Sequence, residues 1–134
     1  WANLDYDKST KHPENLKFKS LSGQMVRSKS EAMIADTLLH YNIPYHYEEI
    51  LTLDFGEVVP DFTILNPIDS SIVYWEHFGM FDDPDYVSKT ILKIQSYIRN
   101  GIIPGKNLIM SFDTLQHPFD SNMASEIIEK SLLL

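Results

Sequence analysis

The chain contains no cysteine and no long apolar run. Without cysteine among its 134 residues, it can form neither a disulfide framework nor a thiolate zinc site. No apolar stretch approaches the roughly 20 residues that a membrane-spanning helix needs, and the first residues are polar, unlike a signal peptide. We therefore expect a soluble, cytoplasmic protein. Because the sequence begins with Trp1, we also expect a piece of a longer protein with further domains.

Basic residues are scarce after the first 30 positions. Residues 1–30 carry six Lys and Arg against three Asp and Glu, whereas residues 31–134 carry five against sixteen, a formal charge of −11. Nucleic-acid phosphates are bound mainly by Lys and Arg, so the acidic part cannot offer a broad nucleic-acid surface. A nucleic acid would have to be contacted through the basic arm, a local patch, or metal ions that offset the acids.

The remaining composition is that of a folded domain. Hydrophobic residues make up 43% of the chain and aromatic residues 12%, and the length suits one domain with a core. Residues 1–27 are polar and unpatterned, and are predicted to form a basic arm of loop or short helix. In this arm Leu16, Phe18 and Leu21 could pack onto the body. Residues 28–134 are predicted to form the domain itself.

Three helices are predicted in this domain. The first begins at the capping box "SKSE", residues 28–31, and ends at "NIP". The second runs from Asp83 to Asn100, with an acidic N-cap followed by proline. Its buried stripe is predicted from helical spacing to consist of Val87, Ile91, Ile94 and Ile98. A final helix is predicted over residues 121–134.

Four segments have the pattern of strands. Residues 45–53, 58–65 and 71–78 are separated by turn residues and predict a meander of adjacent strands. The fourth strand, residues 106–113, follows the second helix. A helical crossover between two strands favours a parallel pairing. The sequence therefore predicts an α/β fold with a mixed four-stranded sheet flanked by helices.

Three acidic residues fall where the core of such a fold should be apolar. Glu31 lies on the apolar stripe of the first helix, whereas Asp61 and Glu76 lie inside strands. Alternation along the strands makes Asp61 and Glu76 neighbours if the faces that carry them coincide. Two such carboxylates repel each other unless a cation lies between them. Oxygen ligands without cysteine suit Mg²⁺ or Mn²⁺ better than zinc.

The order of these acids resembles a known superfamily. A helix glutamate, then "PDF", then the acid of "WEHFG", within an αβββαβ order, is similar to the PD-(D/E)xK nucleases with their restriction-endonuclease-like core. The resemblance spans about residues 27–115. It is nearest to bacterial domains with a "YWEH-G" motif, represented here by "YWEHFGMFDDPDY" and "YIRNGIIPGKNLIMSFDT".

The resemblance implies a function and roles for individual residues. It implies a Mg²⁺-dependent or Mn²⁺-dependent hydrolase, an endonuclease or exonuclease, that cleaves phosphodiester bonds of nucleic acid, with DNA as the expected substrate. Asp61 would bridge the metal, Glu76 would be the second ligand, and Glu31 would help to hold the metal or its water. Bound Mg²⁺ would activate the attacking water and neutralise charge on the phosphate.

The motif lysine is missing from its usual place. Two residues after the second acid, where the resembling enzymes keep a lysine, this chain has Phe78. The following helix offers Lys93 and Lys89 as replacements, and Lys93, which lies one turn before Tyr97, is the preferred catalytic candidate. In a regular strand His77 points away from Glu76, but a bulge before Gly79 would turn it toward the site as an acid or phosphate contact.

Two other functions remain open at this point. The domain could be a nuclease-like fold that has lost catalysis and serves as a binding or interaction module, which the phenylalanine at the lysine position and the acidic charge favour. It could also be an unrelated α/β domain whose acids are paired in salt bridges. That last hypothesis predicts that Glu31, Asp61 and Glu76 do not converge in space.

Overall fold

We describe residues 1–133 from a computed structural model. The helices are α1 (Lys29–His40), α2 (Pro84–Arg99) and α3 (Ser121–Leu132). The strands are β1 (Phe18–Lys19), β2 (Met25–Val26), β3 (Tyr45–Tyr47), β4 (Leu51–Leu53), β5 (Gly56–Val58), β6 (Phe62–Leu65), β7 (Ile72–Phe78) and β8 (Leu108–Phe112). The three predicted helices are confirmed, although the last predicted residue of α3, residue 134, lies outside the described part.

The central sheet contains four strands in the order β3-β6-β7-β8. The pairs β3/β6 and β6/β7 are antiparallel, as a meander predicts, whereas β7 and β8 run parallel, from Tyr74 beside Leu108 to Phe78 beside Phe112. Helix α2 forms the crossover between these two parallel strands. The predicted α/β fold with a mixed four-stranded sheet is therefore confirmed.

Two of the predicted strands are each broken in two. The predicted strand over residues 45–53 stops after Tyr47, because Glu48 adopts a left-handed backbone conformation with φ of 51°. The predicted strand over residues 58–65 is interrupted before Phe62, next to Pro60, which has no N–H to donate to a strand ladder. The freed pieces, β4 and β5, pair with each other as a separate hairpin.

The main core lies between the sheet and helices α1 and α3. Ser28 caps α1 by accepting a hydrogen bond from the backbone N–H of Glu31, as the capping box predicts, and Asp120 caps α3. Both helices direct an apolar stripe onto the sheet face that carries Trp75. The largest fully buried side chains of this core are Trp75, Tyr47, Phe62, Ile34, Leu38, Ile64, Ile128 and Leu132.

Helix α2 covers the other sheet face, but not with the side that was predicted. The predicted buried stripe is wrong, because Ile91 and Ile98 are 52% and 47% exposed. The helix instead buries Thr90 and Tyr97 against the sheet. A polar contact explains this orientation, because Tyr97 donates a hydrogen bond to the buried carboxylate of Glu76.

The first 27 residues pack on the body. A short helix is confirmed as a single 3₁₀ turn over Pro13–Asn15, but residues 18–26 form the β1/β2 hairpin where no strand was predicted. Val26 is fully buried in the core, with Leu16 and Phe18 against it. The prediction that Leu21 packs onto the body is wrong, because this side chain is 80% exposed at the turn of the hairpin. None of the helices of residues 1–133 has the length and apolar character to cross a membrane.

Candidate functional site

Asp61 and Glu76 lie side by side where β6 meets β7. The two strands pair Phe62 with Trp75, and continuing this register brings Asp61 opposite Glu76. The backbone N–H of Asp61 donates to Oε2 of Glu76 at 2.9 Å, and the backbone N–H of His77 donates to Oδ2 of Asp61 at 2.7 Å. The prediction that these two acids are neighbours across the strands is confirmed.

Glu76 is a buried carboxylate with a full set of partners. It is 3% exposed, and it accepts hydrogen bonds from Nζ of Lys93 and, at 3.1 Å, from the hydroxyl of Tyr97. Together with the N–H of Asp61, three donors satisfy its two oxygens. Such charge-assisted bonds fix the side chains that make them. Glu76 therefore holds Lys93 and Tyr97 in place on the sheet-facing side of α2.

Lys93 stays positively charged in this setting. Burial alone lowers the pKa of Lys93, but attraction from Glu76 and Asp61 outweighs it, so that the net pKa is raised above the ordinary value. The amine also lies 5.9 Å from the centre of the Tyr97 ring. Lys93 is thus a fixed cation beside two carboxylates, suited to stabilising negative charge and unsuited to accepting a proton.

Glu31 reaches the same place from the first turn of α1. Its own backbone is held by the Ser28 cap at 3.1 Å, and Oε1 of its carboxylate accepts a hydrogen bond from the hydroxyl of Tyr47. Burial, and after it the charges of Glu48 and Glu76, raise the pKa of Glu31 although the Tyr47 bond acts in the other direction. Glu31 is therefore a buried acid that forms no salt bridge among residues 1–133.

A fourth acid, Glu48, was missed by the sequence analysis. Glu31, Glu48 and Asp61 each present one carboxylate oxygen, and these three oxygens all lie within 4.8 Å of one another. Glu48 follows β3 directly, and its left-handed backbone turns its buried side chain toward the other two. The sequence signal for Glu48 is the pair "EE" after "YHY", because two acids directly after an aromatic segment indicate that a strand ends there.

Arg27 binds Glu48 and the arm at the same time. Nε and Nη2 of its guanidinium donate to the two oxygens of Glu48 at 2.6 and 3.0 Å, a bidentate arrangement. The same guanidinium donates to the backbone carbonyls of His12 and Lys11 at 2.9 and 2.5 Å. The arm therefore reaches the carboxylate group through Arg27.

Among these acids, Asp61 is the one whose ionised form is most strongly disfavoured. Burial, followed by the charges of Glu76 and Glu31, raises its pKa well above the usual aspartate value, and the attraction of Lys93 compensates only in part. A divalent cation would relieve this repulsion directly. The carboxylate oxygens of Glu31, Glu48 and Asp61, which lie within 4.8 Å of one another, would hold such an ion.

Asp61, Glu48 and Lys93 line a cleft that solvent and a substrate could enter, whereas Glu31 and Glu76 are not among its lining residues. Its volume is about 540 Å³, and it extends from Asp61, Glu48 and Lys93 to the arm. On the arm side the lining includes Lys11 and Arg27, so that basic groups meet the acidic floor. The donor set at the floor consists of carboxylate oxygens, which hard divalent cations prefer.

The other predicted candidates lie away from this cleft. The ring of His77 is on the opposite face of the sheet, as a regular strand predicts, where Nδ1 contacts Oγ of Ser111 at 2.7 Å and the ring packs on Phe119 at 4.7 Å. Burial lowers the pKa of His77 to about 4, and Nε2 has no hydrogen-bond partner within residues 1–133. Lys89 is exposed on α2, whereas Tyr97 is buried against Glu76.

Comparison with known proteins adds one distant relative. No protein-family model matches the chain, and no solved structure matches it. An uncharacterized protein of Methanocaldococcus jannaschii is 32% identical over 73 residues. That match covers 54% of this chain but 6% of the archaeal protein, so the chain spans a small part of the relative's length.

Proposed function

We propose that the chain is a metal-dependent nuclease domain with a restriction-endonuclease-like core. The observation that carries this proposal is the group of three carboxylate oxygens, from Glu31, Glu48 and Asp61, within 4.8 Å of one another beside the fixed cation Lys93. Further support comes from the central sheet, in which three strands between α1 and α2, namely β3, β6 and β7, are followed after α2 by β8; the β4/β5 hairpin is additional to the αβββαβ order that the resemblance implies.

In the proposed site Asp61, Glu31 and Glu48 hold a Mg²⁺ or Mn²⁺ ion. Bound there, the ion supplies an activated water and charge neutralisation at the scissile phosphate of a nucleic acid, most simply DNA. The ligand set differs from the one that the resemblance implies. Glu76, the expected second ligand, uses its oxygens to hold Lys93, Tyr97 and the N–H of Asp61.

Lys93 takes over the role of the missing motif lysine in this proposal. Phe78, which occupies the usual position, is 2% exposed and packs with Phe81 and Phe112, so a lysine there would be buried in an apolar cluster. Lys93 lines the cleft and is oriented by Glu76. A preorganised cation of this kind stabilises charge that develops on a phosphate or orients the attacking water.

The acidic surface restricts how a nucleic acid can approach. The formal charge of the chain is −8, whereas Lys11 and Arg27 place positive charge on the arm side of the cleft. Phosphates next to the scissile one would lie against this arm. We therefore expect weak binding in the absence of divalent ions and stronger binding in their presence.

The decisive experiment joins cleavage with metal binding. Plasmid DNA, single-stranded DNA and RNA are incubated with wild type and Asp61→Asn in Mg²⁺, Mn²⁺ or EDTA, and Mn²⁺ is titrated into both proteins by calorimetry. Wild type should cleave at least one substrate and bind Mn²⁺ at a site that Asp61→Asn lacks. Equal cleavage by Asp61→Asn and wild type contradicts the mechanism.

The second candidate function is a nuclease-like fold without catalysis that binds another molecule. It is favoured by Phe78 at the lysine position and by the occupied oxygens of Glu76. It predicts no difference in Mn²⁺ binding between wild type and Asp61→Asn. The third hypothesis is an unrelated α/β domain whose acids are salt-bridged. Its prediction that Glu31, Asp61 and Glu76 do not converge is wrong, whereas Glu76 and Glu48 do form ion pairs with Lys93 and Arg27.

A further inference from the structure

A short stretch of the arm, residues 9–15, forms one wall of the cleft, and we call it the strap. The chain before the strap is fixed to the body, because the hydroxyl of Tyr6 bonds to the backbone of Tyr47. The chain after it is fixed as well, because Leu16 packs against the core. The strap residues that line the cleft are Ser9, Lys11, His12 and Asn15.

A single side chain ties the middle of the strap to the floor of the cleft. The carbonyls of Lys11 and His12 accept hydrogen bonds from the guanidinium of Arg27, which also holds both oxygens of Glu48. Within the described part of the chain, the strap bonds directly to residues after 27 only through the N–H of Ser9, which donates to the carbonyl of Glu48 at 3.0 Å. Residues 10–15 are all exposed, so apolar packing does not hold the strap in place.

The backbone of the strap is strained where Arg27 holds it. His12 has φ of 46°, in the left-handed region that residues with a side chain populate sparsely. Such a conformation persists only while the surrounding contacts maintain it. The strap is therefore expected to leave its present position when the bond from Arg27 is lost.

We propose that Arg27 competes with the metal ion for Glu48, and that the strap opens when Glu48 binds the ion. This inference rests on the proposed metal site, in which Glu48 is a ligand. Arg27 already uses both oxygens of Glu48, and one of them belongs to the group of three oxygens. A divalent cation at that oxygen neutralises the charge that attracts the guanidinium and repels the guanidinium itself. Arg27 then releases the strap together with Glu48.

This competition makes access to the cleft depend on metal loading. Without metal, Arg27 neutralises Glu48 and holds the wall of the cleft closed. With metal, the wall moves away and the guanidinium is free to contact a phosphate of the incoming nucleic acid. The proposed nuclease would thus admit its substrate only after its site is filled.

Trypsin can report the state of the strap directly. The scissile carbonyl of the Lys11–His12 bond is a group that Arg27 holds, so cleavage there requires release of the strap. Because proteolysis tracks the population of the open form, Mn²⁺ should raise the initial rate at this bond at least about tenfold over EDTA. The Lys19–Ser20 bond, which lies in the β1/β2 hairpin, should show no change, and Asp61→Asn should show no response to Mn²⁺ at either bond.

The outcomes for wild type separate this inference from the proposed function. Calorimetry on the same samples shows whether Mn²⁺ is bound. Binding of Mn²⁺ with an unchanged rate at the Lys11–His12 bond overturns the competition and leaves the metal site standing. Absence of Mn²⁺ binding overturns both the metal site and the competition.

Removal of Arg27 gives a second test with a definite sign. In EDTA, Arg27→Gln should be cut at the Lys11–His12 bond as fast as wild type with Mn²⁺. It should also bind Mn²⁺ at least about threefold more tightly, because coupling between two competing cations is reciprocal. Lys17→Gln, which removes an exposed positive charge from the same arm, should match wild type in both assays. Weaker Mn²⁺ binding by Arg27→Gln would show that Arg27 orients Glu48 for the ion and would overturn the competition. If Arg27→Gln does not fold, the wild-type comparison decides alone.

Discussion

Replacing Asp61 with asparagine should make the metal-free protein more stable. The carboxylate of Asp61 lies within 4.8 Å of oxygens from Glu31 and Glu48, and next to Glu76. Asparagine has the same shape, and its carbonyl oxygen can still accept the hydrogen bond from the N–H of His77. The substitution therefore removes charge repulsion and retains the backbone contact.

The size of the effect follows from the spacing of the oxygens. Two unit charges 4.8 Å apart repel each other by about 3 kcal/mol at an effective dielectric constant of about 20. The folded protein avoids part of this cost by keeping a proton on a carboxyl group, and Lys93 offsets another part. We expect Asp61→Asn to gain about 1–2 kcal/mol at pH 7, which corresponds to roughly 3–8 °C in melting temperature.

The gain should depend on pH in a defined direction. The pKa of Asp61 is higher in the folded protein than in the unfolded chain, so folding is favoured while this carboxyl is protonated. The wild-type penalty is therefore absent below the unfolded pKa of about 3.9 and grows as pH rises through the folded pKa. Asp61→Asn should match wild type in acid and exceed it at pH 7.

Thermal unfolding with and without metal provides the assay. In EDTA at pH 7, Asp61→Asn should melt above wild type, and the exposed control Asp5→Asn should not differ from it. In Mn²⁺ the wild type should gain stability that Asp61→Asn does not gain, because only the wild type has the full ligand set. A lower melting temperature for Asp61→Asn in EDTA at pH 7 would refute the electrostatic reasoning.

Further predictions concern a cation, a ligand and a buried histidine. Lys93→Ala should slow cleavage at least about 100-fold, whereas Lys89→Ala, which removes an exposed amine from the same helix, should not; equal rates for both variants would exclude the assigned role. Glu48→Gln should weaken Mn²⁺ binding about tenfold or more in calorimetry, and Glu49→Gln, which lies outside the oxygen group, should leave it unchanged. The pKa of His77 is about 4 against an ordinary 6.5, so the free energy of unfolding should fall by about 3 kcal/mol as pH falls from 6.5 to 4. Urea unfolding of His77→Gln should show a correspondingly smaller loss.

The sequence predicted the elements better than the faces they bury. Alternation along β7 correctly separated Glu76 from His77, and the crossover rule correctly predicted the parallel pairing with β8. Glu48 was missed because its role depends on a left-handed backbone, which hydrophobic periodicity does not report. The ion pair between Glu48 and Arg27 joins residues that are 21 positions apart, so local sequence patterns do not predict it either.

The wrong prediction for α2 has a physical cause that also connects the site with the surface. Helical spacing predicts an apolar stripe on α2, and because burial of apolar area is favourable, this stripe is expected to face the sheet. A buried Glu76 without donors would cost several kcal/mol, more than burial of one additional isoleucine gains. The helix is therefore oriented by Lys93 and Tyr97, which satisfy Glu76, and its isoleucines are left outside. Because one rotation of α2 determines both faces, a substitution that releases Lys93 and Tyr97, such as Glu76→Leu, should allow the helix to turn its stripe inward. This rotation would move Lys93 away from Asp61 and should weaken Mn²⁺ binding in calorimetry.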